Sequence, residues 1–233
     1  MKYRYDLHIH SGLSPCGDKD MTPINIVAAA SAVGLDIIAL TDHNSIGNVK
    51  NVIKYGEMLN ILVVPGVELT TNEDVHVLCY FDTFEKLEKF FSEITYPFVK
   101  NNPCIFGHQY IYNENDEIES EVQRLLITGS DFSENIIYEL AKKHGGIAVP
   151  AHIDRQGSGM LLTLGTVPSY YPTIEISRAK KISDYPKYAK AHNVIRNSDA
   201  HALNLIGIMR GKMELPSLNA TEVIKKLSEY KSK

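Results

Sequence analysis

The stretch YRYDLHIH, residues 3–10, decides the fold class, because it is typical of a β-strand that ends on two histidines. Its apolar and polar residues alternate with the period of an extended chain. Residues 36–41 and 61–69 are also short apolar runs, and helix-like stretches over residues 23–33 and 46–59 lie between them. This order of strand, helix, strand, helix and strand predicts an α/β fold.

The first predicted helix has consistent signals at both ends. Thr22 is suited to cap its amino terminus, and Pro23 follows at the first helical position, where a missing N–H costs nothing. Gly34 stands where the helix should end, since glycine readily takes the left-handed conformation found there. The local sequence therefore agrees with a helix over residues 23–33.

Further elements follow along the chain. The strands are predicted over residues 75–81, 147–153, 173–177 and 194–198, and the helices over residues 83–100, 133–143 with Ser133 as N-cap, and 219–230. Residues 101–129 give no clear pattern. The seven strands alternate mostly with helices, which favours a mainly parallel sheet covered by helices, either closed as a barrel or open and doubly wound.

Size and charge restrict the class of protein. A chain of 233 residues fits one domain over residues 1–233, and 44% hydrophobic with 22% charged residues is ordinary globular composition. The net charge of −4 gives no overall basic field, and the lysine pairs are scattered. We therefore expect a small partner and do not expect long duplex nucleic acid.

The ends and the cysteines point to an intracellular protein. The amino terminus lacks the apolar core of a secretory signal, and no run approaches the roughly 18 apolar residues of a membrane span. Cys16, Cys79 and Cys104 show no C-x-x-C spacing, so reduced thiols are expected. The sequence predicts a cytoplasmic location without membrane contact, and it does not indicate the oligomeric state.

Metal-ligand side chains recur where the predicted strands end. His8 and His10 are two residues apart, so both imidazoles project from one face and can bind one ion. A lone histidine is more often a surface or core residue, but six of the nine histidines and two carboxylates share this location. Other members of the set are His43, Glu68, His76, His152, Asp199 and His201, whereas His108, His144 and His192 are assigned to surface or loop roles.

These residues lie in an ordered set of motifs that resembles the PHP (polymerase and histidinol phosphatase) family. The motifs are DLHIHS at 6–11, TDHN at 41–44, GVE at 66–68, VHV at 75–77, PAHIDR at 150–155 and NSDAH at 197–201. One H-x-H is a weak signal, but all of them in this order are specific. The resemblance implies a distorted seven-stranded (β/α)7 barrel, similar to a TIM barrel, with a trinuclear metal centre.

The resemblance also implies how the ligands are shared. One ion would be bound by His8, His10, Glu68 and Asp199, a second by Glu68, His76 and His152, and a third by His43, His201 and a carboxylate from the loop after the first strand. Many relatives place that carboxylate five residues after the second histidine, where this chain has Pro15. Asp18 is the preferred substitute and Asp20 the alternative. Cys16 is a less favoured ligand, because a cysteine there is more often a packing residue.

Two arginines are candidates for binding a phosphate. Arg155 follows His152 by three residues, and Arg178 follows the strand over residues 173–177, although either could instead form a surface ion pair. Lys180 is a weaker candidate. Asp42 is expected either to orient His43 or to cap the next helix, with equal weight.

Other side chains are candidates for catalysis or for contact with the substrate. His201 and Asp199 are candidate catalytic residues, and His201 could protonate the leaving group, although a coordinated histidine has limited capacity for proton transfer. Four tyrosines are less favoured candidates for stacking on a substrate, because tyrosines more often pack within the protein. These are Tyr110, Tyr112, Tyr170 and Tyr171.

The expected function is hydrolysis of a small phosphate ester, a phosphomonoester or nucleotide-like molecule, by a hydroxide activated by two or three divalent ions. Zinc, manganese and iron all suit imidazole and carboxylate ligands. The alternatives are an exonuclease-like phosphodiesterase on short oligonucleotides, a metal-dependent hydrolase of amides or lactones, and a non-catalytic metal-binding module.

Overall fold

The computed structural model describes residues 1–231, and ten strands and eight α-helices lie within that range. The strands are β1 (Lys2–Ile9), β2 (Ile37–Leu40), β3 (Leu62–Thr70), β4 (His76–Tyr80), β5 (Tyr110–Tyr112), β6 (Ile118–Glu121), β7 (Ile147–Pro150), β8 (Thr173–Glu175), β9 (Asn193–Ile195) and β10 (Gly211–Glu214). The helices are α1 (Pro23–Ala32), α2 (Val49–Met58), α3 (Phe84–Ser92), α4 (Pro103–Phe106), α5 (Glu134–Lys143), α6 (Met160–Leu164), α7 (Pro186–Ala191) and α8 (Ala220–Ser228).

Six strands form one curled, half-barrel sheet in the order β10-β1-β2-β3-β4-β7. Strands β8 and β9 form a parallel pair, and β5 and β6 form a separate hairpin. Ile153 N, just after β7, donates a backbone hydrogen bond to Glu175 O of β8 at 3.0 Å. His10 N, just after β1, donates one to Ala200 O, in the segment that follows β9, at 2.9 Å. The predicted α/β class is confirmed, whereas the seven-stranded barrel stays a prediction.

The sheet is mixed rather than mainly parallel. Strands β1, β2 and β3 are parallel, but β4 is antiparallel to both of its neighbours and β10 is antiparallel to β1. The connection between β3 and β4 runs only from Thr71 to Val75. A parallel crossover needs a dozen or more residues. This short link therefore forces the chain to turn back.

Several predicted boundaries are corrected. The helix predicted over residues 83–100 ends at Ser92, because Pro97 lacks an N–H and disfavours helical geometry at Tyr96. Strand β10 and the β5–β6 hairpin were not predicted, and α2 begins at Val49.

Some helix ends are capped by neighbouring residues and others by residues from distant segments. Thr22 Oγ1 accepts a hydrogen bond from Asn25 N at 3.4 Å, and Gly34 has φ +71°, so both predicted ends of α1 are confirmed. Ser133 occupies the N-cap position of α5 but makes no capping hydrogen bond. The carboxylate of Glu73, from the β3–β4 turn, instead accepts a hydrogen bond from Glu134 N at 3.2 Å.

The core has two parts. One fills the space between the outer face of the sheet and the helices. The other, the inner apolar cluster, lies inside the curl of the sheet and is closed at one end by β10 and α8; it includes Leu7, Ile37, Ala39, Val64, Leu78, Tyr80, Val149, Met213, Val223 and Leu227. No helix of the described residues has the length and apolarity needed to cross a membrane.

Candidate metal centre

The two histidines of β1 face the interior because the strand is irregular. The pairing of β1 with β2 shifts register between Asp6 and Ile9. Leu7 packs in the inner apolar cluster, and the next residue, His8, also lies inside the curl, which a regular strand would not allow. The Nε2 atoms of His8 and His10 are 3.1 Å apart, and both side chains are fully buried.

Glu68, near the end of β3, lies at the middle of the cluster and is fully buried. Five imidazoles approach its two oxygens. Oε1 lies 3.0 Å from His76 Nδ1, 3.1 Å from His152 Nε2 and 3.3 Å from His8 Nε2, and Oε2 lies 2.9 Å from His43 Nδ1 and 3.4 Å from His10 Nε2. One carboxylate therefore connects five imidazoles from four segments of the chain.

Asp199 supplies the second carboxylate. Its Oδ1 lies 3.4 Å from His8 Nε2 and 3.3 Å from His10 Nε2, while Oδ2 pairs with the guanidinium of Arg155. The φ of Asp199 is +50°, a conformation that few residues other than glycine adopt and that recurs at functional sites. His201 follows two residues later, and its ring stacks on that of His10 with centroids 4.2 Å apart.

The charges of the cluster are strongly coupled. Burial raises the pKa of Glu68, but His76, His8 and His43 outweigh it and hold the pKa well below its usual value. Burial lowers the pKa of His8, yet the carboxylates around it raise the pKa well above its usual value. Burial, together with His201 and His43, keeps the pKa of His10 far below its usual value. The site thus attracts a cation and offers a neutral imidazole with a free electron pair.

Buried atoms without hydrogen bonds test whether the residues fit metal ions. His43 Nδ1, Glu68 Oε2 and Asp199 Oδ1 are buried and have no hydrogen-bond partner in the described chain. Buried polar atoms are nearly always hydrogen-bonded, so atoms of this kind that face one another suit a shared cation. Three groups have ligand atoms within 4.8 Å of one another: His10, His43 and His201; His8, His10 and Glu68; and His43, Glu68 and His76. This donor set fits divalent metal ions.

Glu175, at the end of β8, is a site residue that the sequence analysis missed. Its Oε2 lies 3.0 Å from His8 Nδ1 and accepts a hydrogen bond from His152 N at 2.8 Å. Asn197 Nδ2 donates to Oε1 at 2.7 Å. A carboxylate on the far nitrogen of a ligating histidine fixes the ring and raises its basicity. A glutamate inside the apolar run TIEI, residues 173–176, was the available signal.

Asp42 neither contacts the imidazole of His43 nor caps a helix, so both interpretations of this residue are replaced. Its carboxylate accepts hydrogen bonds from Ser11 N and from Ser14 Oγ, both at 2.7 Å. Ser14 Oγ lies 3.0 Å from His10 Nδ1. Asp42 therefore orients His10 through Ser14 and fixes the loop after β1.

The same loop carries the candidates for a further ligand. Asp18 and Asp20 are exposed, and Asp18 Oδ1 accepts a hydrogen bond from Asp20 N at 3.2 Å, so Asp18 is not brought together with the cluster. The thiol of Cys16 lies beside the imidazoles of His201 and His43. Burial raises the pKa of this thiol, but the two histidines outweigh burial and bring the pKa to about 6.

The predicted phosphate-binding residues lie at the mouth of the site. Arg155 is 42% exposed and is held there by its ion pair with Asp199. Arg178 is exposed, and its Nη1 donates a hydrogen bond to Ser198 O at 2.9 Å, one residue before Asp199. Lys180 is exposed.

The tyrosines divide into two groups. Tyr170 and Tyr171 both donate hydrogen bonds to Glu134, which gives them a packing role. Tyr110 stacks on His108 with ring centroids 4.9 Å apart, beside a groove of about 700 Å³. That groove is also lined by Tyr112 and by part of the loop after β1.

The remaining histidines lie away from the cluster. His108 is 55% exposed and pairs with Glu121, and His144 pairs with Glu93. His192 lies in a loop as predicted but is buried, with its Nδ1 2.7 Å from Tyr171 O.

The α/β sheet gathers six imidazoles and the carboxylates of Glu68 and Asp199 into one cluster that fits divalent metal ions. The PHP domain model matches residues 6–163, and the chain belongs to the PHP domain family. The resemblance drawn from the motifs is therefore confirmed.

Relatives of several activities share the fold or part of the sequence. A 5′-3′ exoribonuclease of Haemophilus influenzae is 35% identical over 72 residues, which are 31% of this chain and 25% of that protein. Endonuclease Q of Pyrococcus furiosus is 20% identical with a TM-score of 0.68 over 98% of this chain and 56% of its own. Endonuclease Q with a 27-mer duplex carrying an abasic lesion at its active site is 20% identical, with a TM-score of 0.71 over 97% of this chain and 56% of its own.

An amidohydrolase of Chromobacterium violaceum, with bound sulfate, is 17% identical with a TM-score of 0.58 over 96% of this chain and 95% of its own. The chain thus spans about half the length of the endonuclease Q chains. Endonuclease Q, which shares this fold, is seen with a duplex substrate, so the expectation of no long duplex nucleic acid is not supported. The similarity of this chain to these solved structures shows that they share its fold.

Proposed function

We propose that the chain hydrolyses a small phosphate ester, a phosphomonoester or a nucleotide-like molecule, at a centre of two or three divalent ions. The observation that carries this proposal is the convergence of six imidazoles on the carboxylates of Glu68 and Asp199, with a guanidinium at the mouth. The proposed ligands are His8, His10, His43, Glu68, His76, His152, Asp199 and His201. Zinc, manganese or iron bound there would polarise a phosphoryl oxygen and lower the pKa of water.

Arg155 is the proposed phosphate-binding residue. Its planar guanidinium can donate two parallel hydrogen bonds to phosphate oxygens, which a lysine cannot reproduce. The ion pair with Asp199 holds one edge of the group, and 42% of the side chain remains exposed for a ligand. Arg178, beside Ser198, adds a second positive charge on the same rim.

His201 is a candidate for donating a proton to the leaving oxygen. Its side chain is 23% exposed, in contrast to the fully buried His8 and His10, so it can meet a substrate from the solvent side. Its Nδ1 lies 3.0 Å from the backbone oxygen of Asp199, which fixes the ring. A histidine that also binds a metal has limited capacity for this step.

Release of the terminal nucleotide from a short oligonucleotide is the second candidate. It is supported by the partial identity to an exoribonuclease and by the stacked His108 and Tyr110 beside the loop that follows β1. Aromatic side chains stack on bases with little sequence preference, as such an activity requires.

The test combines metal content with turnover of a substrate panel. The panel contains phosphomonoesters, nucleotides, 5′-phosphorylated single strands, intact and abasic duplexes, and amide or lactone substrates, each with added manganese, iron or zinc. We expect metal-dependent release of phosphate, with Asp199→Asn inactive and the matched variant Asp36→Asn, at an exposed ion pair with Arg4, fully active. Turnover of amides or lactones alone, or bound metal without turnover of any phosphate ester, would overturn the proposal.

A further inference from the structure

Three imidazoles form a ligand group that lacks a carboxylate. His10, His43 and His201 have ligand nitrogens within 4.8 Å of one another, whereas both other groups in the described chain share Glu68. Neutral nitrogen ligands alone do not offset the charge of a divalent ion. A tetrahedral ion bound by three imidazoles is also one ligand short, which an anionic donor could supply.

The thiol of Cys16 lies at this group. Both His43 and His201 act on its pKa, so one sulfur lies beside two of the three imidazoles. His43 is 6% exposed, and its Nδ1, 2.9 Å from Glu68 Oε2, makes no hydrogen bond among the described residues, as expected of an imidazole that binds a metal ion. Cys16 is not in a disulfide.

The loop geometry fixes the position of this thiol. Gly17 N donates to Ser14 O at 2.8 Å, and Asp18 N donates to His201 O at 2.8 Å, so the backbone on the carboxyl side of Cys16 is tied to the site. A Cβ on Gly17 would lie 2.3 Å from Ser11 O, and only glycine therefore permits so close an approach.

We propose that Cys16 binds, as a thiolate, the metal ion held by His10, His43 and His201. The inference rests on the proposed metal centre but not on the identity of the substrate. A metal ion deprotonates a coordinating thiol outright. Sulfur is a soft ligand, so this position should favour zinc over manganese. Exposed thiolates are also readily oxidised, and peroxide should therefore attack this position first.

Metal–sulfur spectroscopy on the full chain tests the proposal. We expect the zinc form to show X-ray absorption from a sulfur neighbour at about 2.3 Å. The cobalt form should show a thiolate-to-cobalt charge-transfer band in the near ultraviolet. Cys16→Ser should abolish both signals, and the matched variant Cys104→Ser, at the other exposed cysteine, should keep them.

Thiol labelling gives a second readout that does not depend on any variant folding. In the metal-free protein, Cys16 and Cys104 should react with a thiol reagent while the buried Cys79 does not. Loading with zinc should protect Cys16 and leave Cys104 reactive. Peptide mapping of the labelled protein identifies which cysteine reacted.

The outcomes separate this inference from the wider proposal. Bound cobalt and phosphate release without a metal–sulfur signal would overturn the role of Cys16 alone. A signal that persists in Cys16→Ser would overturn it equally. Failure of the wild-type protein to bind any metal would overturn both the thiolate ligand and the metal centre.

Discussion

The space inside the curled sheet has an apolar half and a polar half, although the same strands build both. On β3, Val64 packs in the inner apolar cluster, and Glu68, four residues on and on the same face, is the centre of the imidazole cluster. On the antiparallel β4 the order is reversed, with His76 in the polar half and Leu78 and Tyr80 in the apolar half. One set of strands thus supports two kinds of interior.

The two halves are stabilised by different interactions. The apolar half gains free energy from buried area and close packing, and α8 closes it through side chains such as Val223 and Leu227. The polar half buries charges that are costly unless paired, and it depends on partners such as Glu175. We therefore expect substitutions in the apolar half to change folding stability and substitutions in the polar half to change metal binding.

The largest expected effect is that of Glu68→Gln in the polar half. Because five imidazoles approach this carboxylate, loss of its charge should remove bound metal. The value of kcat/KM should fall by more than the roughly 100-fold typical of residues that only hydrogen-bond to metal ligands. Elemental analysis and turnover measure the two effects. Wild-type metal content in this variant would contradict the division of the interior.

Leu78→Ala should have the next largest effect, and on stability. Leu78 is fully buried in the apolar half, so truncation should lower the free energy of unfolding by about 2–5 kcal/mol. Urea denaturation of the metal-free protein measures the change. Metal bound per folded chain should stay at the wild-type level. The matched substitution Ile136→Ala, at a side chain 46% exposed, should change stability by only about 0.5 kcal/mol or less.

Glu175→Gln tests whether the hydrogen bond from Glu175 to the proposed ligand His8 contributes to metal binding in the polar half. A neutral amide should orient His8 less well and reduce its basicity, so metal affinity or kcat/KM should fall by about 10–100-fold. Competition with a chromogenic chelator measures the affinity. The exposed Glu119→Gln is the matched control and should be silent. Equal affinities for both variants would limit Glu175 to a structural role.

The smallest effect is expected for the ion pair of Lys2 and Glu214 at the surface. These side chains are 68% and 69% exposed, so the pair should contribute at most about 1 kcal/mol. Lys2→Ala should therefore leave unfolding and turnover near wild-type values. A loss of metal binding in this variant would show that the two halves are coupled through β1.

Particular residues show how far the sequence could predict this molecule. The cluster members at strand ends were found because each lies in a short motif at the end of an apolar run, a local pattern. Glu175 was missed, and Asp42 was misinterpreted, because the hydrogen-bond partners of Glu175 lie 22 to 167 residues away and those of Asp42 lie 28 to 31 residues away. The helix cap supplied by Glu73 is another contact between distant segments.

By itself the sequence determined the α/β class, the family and the identity of the imidazoles and carboxylates, because strand periodicity, capping and motif spacing are local properties. Only the tertiary structure decided that β10 pairs antiparallel with β1 and that β1 is irregular before His8. It also decided that the thiol of Cys16, rather than the carboxylate of Asp18, lies beside the imidazoles of His43 and His201. These outcomes depend on contacts between segments far apart in the chain, and no local pattern encodes which distant groups meet.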